Sequence, residues 1–110
     1  VSLFHDAAVR CRAARDVIAQ RGWMQGNYGY CDGPVCLVGA MRLACGAAHP
    51  HGSLAMAGGW GWDVFGAIHS ALQAVTDAKD IVAWNDASAR KREDVLAALE
   101  RAAQYLESRA

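Results

Sequence analysis

Cys31-Asp32-Gly33-Pro34-Val35-Cys36-Leu37-Val38-Gly39-Ala40-Met41-Arg42-Leu43-Ala44-Cys45-Gly46 holds three of the four cysteines and reads as one capped, almost wholly apolar helix. Asp32 or Gly33 stands where an N-cap belongs, and Pro34 suits the first turn because its missing N–H is one the helix leaves unpaired anyway. Gly46 supplies the positive φ that closes the last turn. Between these stops only Arg42 is charged, so neighbours must cover most of the helix, and Gly39 lets one of them come close. The stretch predicts the central element of an all-helical fold.

The same geometry limits what the cysteines can do. Cys36 and Cys45 are nine positions apart, about 13 Å along the axis and on roughly opposite faces, so they cannot share one zinc ion. Cys31 and Cys36 with His49 or His51 match no structural-zinc spacing, and neither a metal nor a cofactor is expected. A Cys31–Cys36 disulfide is one alternative; four cysteines without a secretion signal read more naturally as reduced cytoplasmic thiols. Cys11 and Cys45 fit small buried apolar positions. With Gly33 as N-cap, Cys36 falls third in the helix, where free N–H groups and the dipole favour a thiolate. It is then the candidate nucleophile of a hydrolase or transferase, with His49, His51 or His69 as base and Asp63 or Asp86 to orient it. Against this, Val35, Leu37 and Val38 surround the thiol with apolar groups that raise its pKa, as for an ordinary core cysteine.

Outward from this helix the chain offers three more apolar stripes. Phe4, Ala7, Cys11, Ala14 and Ile18 recur at helical spacing up to Gly22, with Ser2 or Asp6 as the cap. Val64, Ile68, Leu72 and Val75 form a third stripe from Trp62 or Asp63 to Thr76; Asp63 suits its N-cap, Ala67, Ala71 and Ala74 give small surfaces, and His69 reaches the core edge. Val95, Leu96, Leu99, Ala102, Ala103 and Leu106 form the last, from Arg92 to Glu107. Ile81 to Trp84 is the one strand-like run and has no partner. Four such stripes bury one another in a compact bundle of about four helices joined through a Gly/Trp-rich loop. At 110 residues and 54% hydrophobic, the chain suits one domain over residues 1–110.

Eleven basic and eleven acidic residues balance, which gives no electrostatic footprint for nucleic acid, and Arg90-Lys91-Arg92 reads as a solvated run. The apolar stretches Val35 to Ala44 and Leu54 to Ile68 are interrupted by Arg42 and Asp63, so no membrane span and a cytoplasmic address are expected. The glycines around Trp60 and Trp62 make no phosphate loop. Trp60 and Trp62, with Tyr28 and Tyr30 in the loop before the central helix, either cover helix ends or grip another protein. His49 and His51 diverge from a turn and read as surface residues. In Trp84-Asn85-Asp86, the Asn-Asp pair suits an Asx-turn or cap for the closing helix, pinned by Trp84. Alternatively, Asn85 and Asp86 form a polar pair beside Trp84 and Cys36 in one cleft. The favoured function is a noncatalytic protein-binding or regulatory module whose partner is another protein or a second copy; the Cys36 enzyme is the alternative.

Gly22-Trp23, Cys36, Gly39-Ala40 and Trp84-Asn85-Asp86, in the order helix, loop, helix, closing helix, resemble an uncharacterised family of small proteins from actinobacteria and their phages. That resemblance implies a host range and a helical grouping, and it carries no activity with it. The family begins its closing helix with Thr-x-x-Glu-Val, where this chain has Lys91-Arg92-Glu93-Asp94-Val95. A lysine cannot accept the capping bonds of a threonine, which leaves the cap open or moves it to Ser88. The residues shared by the resemblance and the local chemistry, Trp23, Cys36 and Trp84-Asn85-Asp86, are expected to converge at the start of the central helix, with the histidines outside.

Overall fold

Ser2, not Asp6, begins the first helix in the computed structural model, which describes residues 2–54 and 59–110. Its hydroxyl accepts the His5 N–H at 3.0 Å, and α1 (Leu3–Arg21) runs to Gly22, whose φ of 96° ends it. Ala7, Cys11, Ala14 and Ile18 are buried as their spacing predicts. Phe4 departs from that stripe and is 38% exposed, at the edge of a groove rather than in the core.

The central helix α2 (Leu37–Ala44) starts later than its sequence suggests, because Cys36 is itself the N-cap. Neither Asp32 nor Gly33 caps it, and Pro34 precedes it. The cause is the pairing of Val35: its N–H donates to the Gly22 carbonyl at 3.1 Å and its carbonyl accepts the Met24 N–H at 3.0 Å. Those two bonds hold Val35 extended against the chain that leaves α1, so helical hydrogen bonding can begin only after it. Gly39 does admit a close neighbour: a Cβ there would lie 1.9 Å from the Tyr28 carbonyl oxygen. Six of the eight residues of α2 are buried, which makes it the centre of the fold.

α3 (Trp60–Thr76) also starts away from its expected cap. Gly59, at φ 79°, takes the N-cap position, and Asp63 falls in the first turn, where a carboxylate still favours the helix dipole. Val64, Ile68 and Leu72 are buried; so is Ala71, which the stripe alone places on the surface. Ala57 and Gly58 of the Gly/Trp-rich loop lie outside the described residues.

The strand-like run becomes a fifth helix, α4 (Ile81–Asp86). The Asp80 carboxylate accepts the N–H groups of Val82 at 3.0 Å and Ala83 at 3.1 Å, and with no strand beside it among the described residues this cap outweighs the β-branched pair Ile81-Val82. α5 (Arg92–Glu107) has the predicted bounds. Its cap is neither a threonine nor Ser88: the Lys91 N–H donates to the Asp94 carboxylate at 3.0 Å, the reverse half of a capping box.

The result is an all-helical bundle in which α1 packs on α5, α2 and α3, α3 packs on α5, and α4 sits against α2. Ile18, Leu37, Met41, Ile68, Leu72 and Leu99 are fully buried in one shared core. Outside it, Arg12 bonds both Glu100 and Glu107, and Arg15 bonds Glu100, tying α1 to α5.

Candidate functional site

Two clusters of chemistry-bearing side chains emerge, and Tyr28 in the loop between α1 and α2 touches both. The first forms around Asn85 at the end of α4. Its side-chain oxygen accepts the Trp23 indole N–H at 2.7 Å and the Leu37 N–H at 3.1 Å. Its amide nitrogen donates to the Met24 carbonyl at 3.2 Å and to Asp86 Oδ1 at 2.9 Å. Four bonds exhaust the capacity of an asparagine side chain, and Asn85 is only 1% exposed. Asp86 Oδ1 also accepts the Gly26 N–H at 3.0 Å, while Gln25 donates to the carbonyls of Asn85 and Ala87 at 2.9 and 2.8 Å.

Asn85 and Asp86 therefore do not cap the closing helix. They belong to the last turn of α4, and their bonds reach back to the start of α2 and the chain after α1. Leu37 opens α2, so the Asn85 oxygen satisfies one of the N–H groups that a helix start leaves unpaired. Cys36 satisfies another, its sulfur accepting the Gly39 N–H at 3.4 Å.

Cys36 also lines a cleft of about 80 Å³ with Gly26, Asn27, Tyr28, Val82 and Asp86. Burial pushes its thiol pKa up, the Gly39 N–H pulling the other way. The first-turn site expected for a thiolate is thus replaced by a buried cap. His51 Nε2 lies 3.1 Å from Asn27 Oδ1, and His49 Nδ1 accepts the His51 N–H at 3.2 Å. Among the described residues, neither ring hydrogen-bonds Cys36. Trp23, Cys36, Asn85 and Asp86 do gather at the start of α2, but Trp84 does not line the cleft. Its ring lies beneath the Arg90 guanidinium at 3.9 Å from the centroid, and Arg90 Nε donates to the Trp84 carbonyl at 2.8 Å.

The remaining thiols are unpaired. Cys31 is exposed, whereas burial pushes Cys11 up to about 12 and Cys45 up to about 11. No group of three His, Cys, Asp or Glu side chains placed to hold a metal occurs among the described residues.

The second cluster centres on Arg42. Its guanidinium carbon lies 5.7 Å from the Tyr28 ring centroid, 5.6 Å from that of Trp62 and 5.7 Å from that of Phe65. Trp62 and Phe65 meet edge to face at 5.8 Å, and on the other side Tyr28 touches His51 at 5.1 Å, which touches His49 at 5.5 Å. Arg42 Nη1 donates to the Gly52 carbonyl at 3.0 Å, anchoring the cation. Its Nε is buried without a hydrogen-bond partner among the described residues, and all three rings lie within cation–π range of the guanidinium. Two candidates from the sequence, Tyr28 and Trp62, meet here through a residue that sequence reasoning did not assign to a site. The available signal was Arg42 itself, the single charge on an otherwise apolar helix.

Trp62 is 50% exposed, while Trp60 packs half-buried against the core, so the two tryptophans divide between surface and interior. Tyr30 is 61% exposed and joins neither cluster; its carbonyl accepts a bond from Arg21 at 2.8 Å.

Residues 5–105 match the family model DUF6197, described as a family of unknown function. The chain is a member of DUF6197. No curated protein and no solved structure gives a significant match. The DUF6197 match runs from α1 into α5 and takes in both the Asn85 hub and the Arg42 cluster.

Proposed function

We propose that this DUF6197 protein is a noncatalytic cytoplasmic module that binds a partner protein, in a regulatory role, through the surface built around Arg42. The observation that carries the reading is one guanidinium shared by Tyr28, Trp62 and Phe65, with Trp62 half exposed. Tryptophan, tyrosine and arginine are the residues on which binding energy concentrates. Because the rings are already held against the cation, little side-chain freedom remains to be lost when a partner arrives. The cytoplasmic setting is supported by four unpaired thiols. An actinobacterial or phage origin belongs to the same proposal and is supported by nine arginines against two lysines.

A thiol hydrolase or transferase at Cys36 is the second reading, favoured by the cleft that Cys36 shares with Asp86. Two features weigh towards the binding module instead: a thiol pKa raised by burial, and polar neighbours engaged in holding α2 and α4 together. Affinity capture from a host lysate with the wild type, Trp62→Ala and Phe65→Ala separates the readings. Partners kept by the wild type and lost by both folded variants support the Arg42 surface. Retention of the full partner set by both variants refutes it.

A further inference from the structure

We infer that the face containing a groove between α3 and the end of α5 is the contact surface of a two-fold dimer, packed wall to wall against the same face of a second copy of this chain. The groove has a volume of about 410 Å³ and is lined by Asp63, Gly66 and Ala67 of α3, by Tyr105 of α5 and Arg109 just after that helix, and by Phe4 of α1. It is a different face from the Arg42 surface. At 100° per residue, Asp63 and Ala67 lie roughly 100° to 160° around α3 from Trp62 and Phe65, with Gly66 at the border between the two faces.

Gly66 is the first clue. A Cβ there would meet nothing within 4 Å among the described residues, so none of them calls for glycine in the interior of this helix. Glycine at such a position costs about 1 kcal/mol relative to alanine, which makes sense where something outside the chain must come close to the helix. Phe4 is the second, a large apolar side chain 38% exposed at the edge of that opening.

Charge selects the occupant. Asp63 stands on the α3 wall and Arg109 on the α5 wall, and neither forms an ion pair among the described residues; Arg109 lies over the Tyr105 ring at 4.6 Å. A two-fold axis running along the groove sets the α3 wall of each copy against the α5 wall of the other. Asp63 of each copy then faces Arg109 of the other, and the pair forms twice. A partner segment carrying one sign of charge would satisfy a single wall, whereas a second copy satisfies both. The formal net charge of the chain is zero, so no long-range repulsion opposes the association.

Sedimentation velocity of the full chain tests this, beside Phe4→Glu, Gly66→Leu, Asp63→Arg, Arg109→Asp and the double charge swap. The wild type should dimerise reversibly, and Phe4→Glu and Gly66→Leu should weaken the dimer at least about thirtyfold, as expected for an apolar anchor made charged and a close contact blocked. Gly66→Leu should melt no lower than wild type when monomeric, since its side chain has open space and leucine is the better helix former. Each single charge reversal should weaken the dimer, and the double swap should recover it. A wild type that stays monomeric through the micromolar and millimolar range overturns the proposal. So does a dimer indifferent to Phe4→Glu and Gly66→Leu, or a double swap no tighter than the singles. Trp62→Ala should leave the dimer intact, which keeps this outcome separate from that of the Arg42 surface.

Discussion

Replacing Asn85 by alanine should cost about 3 to 4 kcal/mol of folding stability. The substitution removes the oxygen that accepts the Trp23 indole N–H at 2.7 Å and the Leu37 N–H at 3.1 Å. A buried donor left without a partner costs about 1 to 3 kcal/mol. The Leu37 amide is fully buried and counts towards the upper part of that range, while the Trp23 indole, partly open to water, counts towards the lower. Their sum is a large fraction of the roughly 5 to 15 kcal/mol that holds a domain of this size together. Urea denaturation followed by tryptophan fluorescence and by far-UV circular dichroism measures it, with an unchanged m-value showing that the loss is in stability alone. Asp86→Ala is the control. Asp86 is exposed, so water can replace its carboxylate at the Gly26 amide, and the loss should stay near 1 kcal/mol. A loss below about 1 kcal/mol for Asn85→Ala would refute the view that this side chain fastens α4 to the start of α2.

Gly39→Leu should destabilise the fold by at least about 1 to 3 kcal/mol, because even its Cβ would meet the Tyr28 backbone; a thermal melt checks this, and an unchanged midpoint would contradict the packing. A disulfide thiol reagent should modify Cys31 rapidly in the native protein and the other three cysteines only on unfolding, and a Cys36 that reacts fast at neutral pH would restore the enzyme reading. Hydrogen bonds from Arg12 hold the Glu100 and Glu107 carboxyls below the usual range, so the unfolded chain binds more protons in acid. Their stabilisation should be complete above the ordinary carboxylate pKa and fade as the pH falls through the lowered values, a slope that Arg12→Met flattens in acid-denaturation curves. Cys11 and Cys45 run the opposite way: raised from about 9 to about 12 and about 11, they contribute stability that is complete below pH 9 and is lost as the pH climbs past it. Cys11→Ala should therefore reduce the alkaline decline in stability, measured by urea melts across that range.

Where local chemistry and packing agree, the sequence is a good guide. The limits of α5 follow from a regular apolar stripe, and the end of α1 follows from Gly22, whose positive φ the structure confirms. The close approach at Gly39 is legible too, since a glycine in a buried helix has few other uses. What escapes is whatever depends on a distant strand of chain. Val35 looks like helix until Gly22 and Met24 claim its backbone, and only that pairing moves Cys36 from the first turn to the cap. Asn85 and Asp86 look like local caps because their residue types suit one, while their partners lie far back along the chain. Arg42 shows the same limit: the lone charge is visible, but the three rings around it come from the aromatic loop and from α3.

The most direct measurement of the central claim is the affinity of a partner captured by the wild type, determined by titration calorimetry against the wild type and against Trp62→Ala of unchanged stability. Removal of an exposed tryptophan at the centre of a binding surface should weaken that affinity by roughly thirtyfold or more. Equal affinity for the two proteins would contradict the assignment of binding to the Arg42 surface.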